Sequence, residues 1–445
     1  MTTLTPAKIA QLRALMSALP AAFAARIVET ARAGDETMGE LLHACSRKPE
    51  VYTRERFFAP LAPLSLDPAH ARPSLAHIPP AMLATVWSWM DETLAPDITA
   101  AMRKYCANPL MPPDEKTEDA LRADASKRIL AAIDELRDDP RATKQLRHRL
   151  GVSDFRAVRD LAAILRATPV LRKAMADIPP SIAELDDGLS QTLRDRYDAA
   201  CAADPDAGVW FLYLVMARLV RPWAILRVFE KIARRDDDFL LSRTDVSTIG
   251  DALLEDAAYY VSAFADIPAS NEAAQEMATA LTQFATVTVG MSREIGIRKD
   301  GGWGRQIMAL RQRASAQMEA IHAAALAQLD KTVPDPHKAL PARLILSGDA
   351  LESAATRMEV FCTFLRLTRD DASRAAVGGA HAGVLDRMNQ RLDMASGAVL
   401  AQMRGGQGDD ALTERAAVIA RLMTAMGQQE SAAVFLRRAA AARAA

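Results

Sequence analysis

Between Trp303 and Lys331 the chain reads WGRQIMALRQRASAQMEAIHAAALAQLDK, and its apolar residues Ile307, Leu310, Ala314, Met318, Ile321, Ala325 and Leu329 recur at steps of three and four. That spacing follows the turn of an α-helix and gathers all seven onto one stripe, with Arg and Gln on the remaining face. The stretch 347–367, SGDALESAATRMEVFCTFLRL, repeats it with Leu351, Ala355, Met358, Cys362 and Leu365. Ser347 and Asp349 stand where first-turn amides need acceptors and are expected to cap that helix. Nowhere does an alternating pattern rich in Val or Ile persist with hairpin turns, so the chain is expected to be all-α.

The run VWFLYLVMA (209–217) sharpens this to a multi-helix bundle or helical array. Crossing a bilayer takes about 20 apolar residues, so this shorter run reads as a helix buried from every side. Such a helix must be enclosed by others. Beyond Pro222 the pattern turns amphipathic, with Ile225, Leu226, Val228, Phe229 and Ile232 opposing Arg221, Arg227, Lys231, Arg234 and Arg235. Breaks at 108–116 and 297–304 suggest three units: an N-terminal helical unit (1–110), a central bundle (111–298) and a C-terminal long-helix unit (299–445). With 445 residues, 50% of them apolar, there is material for a substantial core.

The segment 54–82 is unusual in carrying Pro60, Pro63, Pro68, Pro73, Pro79 and Pro80. These prolines forbid a continuous helix, while Phe57, Phe58, Leu61, Leu64, Leu66, Leu75 and Ile78 are too apolar for a free tether. We expect an ordered connector, folded across the N-terminal helices, with Phe57, Phe58 and Leu61 buried. Three Ile-Pro phrases, HIPPAM (77–82), DIPPSI (177–182) and DIPASN (266–271), read as helix starts. A proline fits a first turn because the amides there lack intrahelical partners, and the spacing suggests repeated helical units.

Charge is balanced, 55 basic against 56 acidic residues, so net charge does not point to nucleic acid, and no stacking platform of aromatics accompanies the local basic stretches. In residues 141–173 Leu146, Leu150, Phe155, Val158, Leu161, Ile164 and Leu165 are expected to face inward. Arg147, Arg156, Arg159 and Arg166 then face a partner, or pair with the acidic stretch 114–139. Cys45, Cys106, Cys201 and Cys362 form no CxxC pair, and the first residues lack a secretory leader pattern; both favour a cytoplasmic location.

No G-x-S-x-G, G-x-x-x-x-G-K-[ST] or G-x-G-x-x-G motif occurs. KDGGWGRQ (299–306) is expected to start a helix, with Trp303 packed against a neighbour. Glu319 and His322 form a Glu-x-x-His pair of the kind a di-iron bundle uses twice, together with two further glutamates; His322 is expected on the solvent side beside Glu319. The run Asp236, Asp237, Asp238 resembles the aspartate-rich magnesium site of the terpenoid synthases and prenyltransferases, which are all-α. The resemblance ends there, because Leu240 stands where the last acid of that motif belongs.

The reading that follows is a non-enzymatic interaction or scaffold protein, without a cofactor, whose macromolecular partner is a protein. Its partner-binding candidates are Arg147, Arg156, Arg159, Arg166, Arg227, Lys231 and Arg234. The alternatives are a helix-bundle enzyme with a carboxylate pocket around Asp236, Asp237, Glu255 and Asp256, metal-dependent in one version, and a protein bound peripherally to anionic lipid.

Overall fold

A computed structural model describes residues 6–67, 69, 71–107, 114–228, 247–294, 296–297, 299–337, 346–374, 378–405 and 410–444. Their regular elements are all helices, apart from one isolated bridge between Ile182 and Leu219. The chain divides into two compact units, Met1–Val228 and Phe229–Ala445.

The first unit holds α1 (Pro6–Ala18), α2 (Ala21–Gly34), α3 (Glu36–Ser46), α4 (Pro49–Phe57), α5 (Pro80–Trp89), α6 (Pro96–Cys106), α7 (Glu115–Glu135), α8 (Pro140–Leu150), α9 (Arg156–Met175), α10 (Asp187–Ala203) and α11 (Ala207–Arg218). Helices α4, α5, α6 and α8 open on a proline, whose missing amide leaves nothing unsatisfied in a first turn. In α8 the Asp139 carboxylate also accepts from the Arg141 and Ala142 amides, both at 3.0 Å. Gly151, left-handed at φ 69°, ends that helix. Ile9, Met16, Ala24, Val28, Leu41 and Cys45 make a small core among α1, α2 and α3.

Helix α11 is buried at every position from Trp210 to Met216. It is covered by α9, α10, a 3₁₀ turn at Pro222–Ile225 and the proline-rich connector. The connector is ordered, with 3₁₀ turns at Ala59–Leu64 and Pro73–Leu75. Its ends meet where the Ile78 amide donates to the Leu64 carbonyl (3.2 Å) and Ser65 Oγ donates to the Ile78 carbonyl (2.7 Å). Phe57, Phe58, Leu61, Leu64 and Ile78 are buried as expected. Its principal bed, however, is α9 and α11 rather than the N-terminal helices, because α11 has the apolar surface that needs covering. Arg72 Nη2 reaches the Met216 carbonyl at 3.2 Å.

The turn from α4 into the connector is held by a buried ion cluster. Arg122 on α7 donates from Nε to the Phe57 carbonyl (2.9 Å), and from Nη2 to the Arg56 carbonyl (3.0 Å) and to Glu118 Oε2 (2.7 Å). Arg56 meets the other Glu118 oxygen at 2.8 Å.

The Ile-Pro phrases do not share one role. Pro80 starts α5. At 177–182 no helix begins: the Ile182 amide donates to the Arg218 carbonyl (2.8 Å) and its carbonyl accepts from Val220 (3.0 Å), which holds the backbone extended. Helix α10 starts later, where Asp186 Oδ1 accepts from the Leu189 amide at 2.7 Å. The third phrase does end in a helix start: the helix begins at its last residue, Asn271, and Ser270 Oγ accepts from the Ala273 amide at 3.2 Å.

The second unit contains α12 (Ser247–Ala263), α13 (Asn271–Glu294), α14 (Gly302–Thr332), α15 (Gly348–Leu367), α16 (Arg369–Arg374), α17 (Gly378–Arg404), α18 (Asp410–Ala425) and α19 (Gln429–Ala444). All seven stripe residues of α14 and all five of α15 are buried. Ser347 occupies the N-cap of α15 but makes no side-chain capping bond. The Gly348 amide turns instead to Glu414 Oε2 at 3.1 Å. Helix α14 starts at Gly302, and Trp303 is buried with its Nε1 donating to Asp251 Oδ1 at 2.9 Å. Its ring lies against Gly250, where there is no room for a Cβ.

Two substitutions test these packings. Phe58→Ala, which empties a site among Phe57 and Trp87, should cost about 3 to 5 kcal/mol, seen as a lower denaturant midpoint with no partner present. Gly250→Ala should destabilise the second unit by about 1 to 3 kcal/mol through overpacking. A further change, Trp303→Leu, should relieve part of that loss in a double-mutant cycle.

Candidate functional site

The basic candidates fall into two groups. Arg159 pairs with Asp134 at 2.7 Å, and Arg166 with Asp204 at 3.0 Å and Asp206 at 2.6 Å. Arg149 and Arg172 are likewise engaged, by Glu92 at 2.7 Å and by Asp119 at 2.6 Å. The acids of α7 and of the α10–α11 turn thus take up much of the charge of α9. The second group lies on α8 and at the start of α9. Arg141, Lys144, His148 and Arg156 are exposed and make no ion pair among the described residues. Arg147 Nη1 donates to the Ser153 carbonyl at 3.0 Å and makes no ion pair among the described residues. Steps of three and four place Arg141, Lys144 and His148 on one stripe, with Arg147 beside it, while Leu146 and Leu150 turn inward.

Arg227 is exposed, and its Nη1 donates to the Leu185 carbonyl at 3.0 Å. Lys231, Arg234, Asp236 and Asp237 lie outside the described residues. On α12 Glu255 is exposed whereas Asp256 is buried, so the two carboxylates leave the helix in different directions. Among the described residues no group of three or more His, Cys, Asp or Glu could hold a metal ion, and no helix is long and apolar enough to cross a membrane.

Arg156 has neighbours that its sequence context does not announce. Its charge acts on both His77, from the connector, and Asp160, one turn along α9. His77 packs edge-on against Tyr213 (4.1 Å between centroids) and Trp210 (5.8 Å). Burial, reinforced by Arg156, lowers its pKa to about 4, and its Nε2 is buried without a hydrogen bond. Burial raises the Asp160 carboxyl to about 6, against the pull of Arg156. A neutral imidazole and a carboxyl that titrates near neutrality therefore stand close to an exposed guanidinium.

The expected placement of His322 is overturned. It is buried, and its Nε2 lies 3.0 Å from Nδ1 of His381, while Glu319 is exposed. The tautomers follow from the acceptor at the end of the chain. His381 Nε2 faces the Leu365 carbonyl at 2.9 Å and must carry the proton there. Its Nδ1 is then an acceptor, so His322 Nε2 donates to it. Burial lowers the pKa of His322 to about 4, helped by His381, and lowers that of His381 too. His381 adjoins a cleft of about 430 Å³ edged by Arg366, Arg369, Asp370, Asp386 and Asn389. With both its ring nitrogens committed, His381 offers the cleft no base; the pair is a tie between α14, α15 and α17.

No protein-family model, curated protein or solved structure matches this chain.

The His322–His381 tie sets a pH dependence. An unfolded histidine titrates near 6.5 and folded His322 near 4, so between those values the unfolded state binds more protons. The tie's contribution is complete above pH 6.5 and is lost as pH falls toward 4. Amide exchange of α14 and α17 should accelerate across that window. A His322→Leu, His381→Leu double variant should lose this acid-dependent component, and an unchanged profile in it would assign the effect elsewhere.

Proposed function

We propose that the protein is a non-enzymatic helical interaction or scaffold protein, and that α8 with the start of α9 presents its docking surface to an acidic face of a protein partner. The observation that carries this reading is the contrast in charge pairing. Arg149, Arg159 and Arg166 form ion pairs with acids of the same unit, whereas Arg141, Lys144, Arg147 and His148 form none among the described residues, and Arg156 forms no ion pair there although its charge acts on Asp160. Unmatched charges on one helix face steer a complementary surface and set its register more than they add affinity. They also cost the fold little to keep, since each head group stays in water. Of the sequence candidates, Arg147 and Arg156 belong to this surface, and Arg159 and Arg166 flank it. A cytoplasmic setting suits the four cysteines, none of which is in a disulfide.

The test is a charge reversal, Arg141→Glu with Lys144→Glu and Arg147→Glu, applied to partners captured from native extract and mapped by crosslinking. Wild-type crosslinks should fall on α8, binding should weaken with salt, and the triple variant should bind at least about tenfold more weakly. Equal capture by the variant, with crosslinks elsewhere, would remove α8 from the interface. Flotation of the wild type with anionic vesicles, lost in the variant, would transfer the same cations to the peripheral-membrane reading.

A further inference from the structure

The second unit contains a half-open cavity of about 200 Å³ at the end of α14, lined by the following segment, the first turn of α15, and α17 and α18. Its walls are mostly apolar: Val333, Leu351, Val399, Val418 and Ile419. On α17 the small side chain of Ala398 leaves the space open. The polar groups on the lining differ in what they have left to give. The Thr332 hydroxyl is engaged by the carbonyls of Gln328 (2.9 Å) and Ala354 (3.2 Å). Asp335 Oδ1 accepts from the His337 amide at 3.0 Å, and Gln402 is exposed at the rim. Arg415, half-buried, has no ion pair or hydrogen bond among the described residues.

A guanidinium without a protein acceptor among the described residues, beside an apolar cleft, suits an anion carrying an apolar body. The planar fork matches a carboxylate, which it can hold by two parallel charge-assisted bonds. The Asp335 carboxylate on the same wall opposes any ligand of higher negative charge, such as a phosphate dianion. Size adds a second limit, since an apolar cavity of about 150 Å³ takes up benzene; this one has room for a single ring or a short alkyl chain with its acid group. We propose that the cavity binds a small monocarboxylate, its carboxylate on Arg415 and its apolar body between α15, α17 and α18. This goes beyond the docking surface on α8, which belongs to the other unit.

Calorimetric titration of the full chain with 3-phenylpropionate and with octanoate tests the site. At least one should saturate at a single site by low-millimolar concentration. The uncharged 3-phenylpropanol should bind at least about tenfold more weakly, as should 3-phenylpropionate to Arg415→Gln. Ala398→Phe, which fills the space, should abolish binding, and thermal melts of both variants report whether they are folded. Absence of saturable heat with both acids overturns the proposal. So does equal affinity for the alcohol, a comparison that needs no variant, or unchanged affinity in folded Arg415→Gln.

Discussion

Helix α11 sets the problem that the first unit is built to solve. From Trp210 to Met216 every side chain is buried, so no side of the helix can be left to water, and two neighbouring helices cannot enclose it. The connector supplies the missing wall. A regular helix there would present one stripe to α11 and a polar face to solvent. A proline-broken segment instead sets Leu61 and Leu64 in a short turn and brings Ile78 back beside them, while Phe57 and Phe58 at its start pack on Trp87. The prolines set the path, and the apolar side chains between them do the covering.

That path depends in turn on Arg122, a nearly fully buried cation. Desolvating a guanidinium is costly, and it is tolerable here because its donors find two carbonyls at the end of α4 and the Glu118 carboxylate. Those carbonyls lie where α4 ends and its last oxygens lack helical partners. One side chain thus satisfies the end of one helix and fixes where the next segment leaves it. The second unit uses different ties: an indole seated on a glycine between α12 and α14, and two imidazoles in series between α14, α17 and α15.

Helix identity was legible because periodicity is local. The stripes of α14 and α15 and the unbroken apolar run of α11 each name their buried residues from spacing alone. Charge partners are not local. Asp134 lies 25 residues from Arg159; the sequence offers pairing with the acidic stretch 114–139 as one alternative but not which acid each arginine meets, and Arg166 turns instead to Asp204 and Asp206. His322 did carry a signal, since it stands four residues after Met318 and three before Ala325, on the edge of the buried stripe; its polarity masked a position that geometry assigns to the interior. Asp256 sits four residues after Ala252 in the same way and is likewise buried. The Ile-Pro phrases show the converse. Proline permits a helix start without compelling one, and at 177–182 pairing with the end of α11 prevailed. The cavity beside Arg415 draws on four segments, and no window of sequence contains it.

The connector's bed has a kinetic consequence. Phe57 is clamped by a residue 65 positions later, and Arg72 bonds a carbonyl 144 positions later. Contacts so far apart along the chain close slowly, because the intervening loop must be ordered before they are made. During synthesis from the N-terminus, the 3₁₀ turn carrying Leu61 and Leu64 leaves the ribosome well before α11 exists to receive it. For that interval the most apolar part of the connector has no bed, and the closure that later completes the core leaves the nascent first unit open to aggregation while it waits.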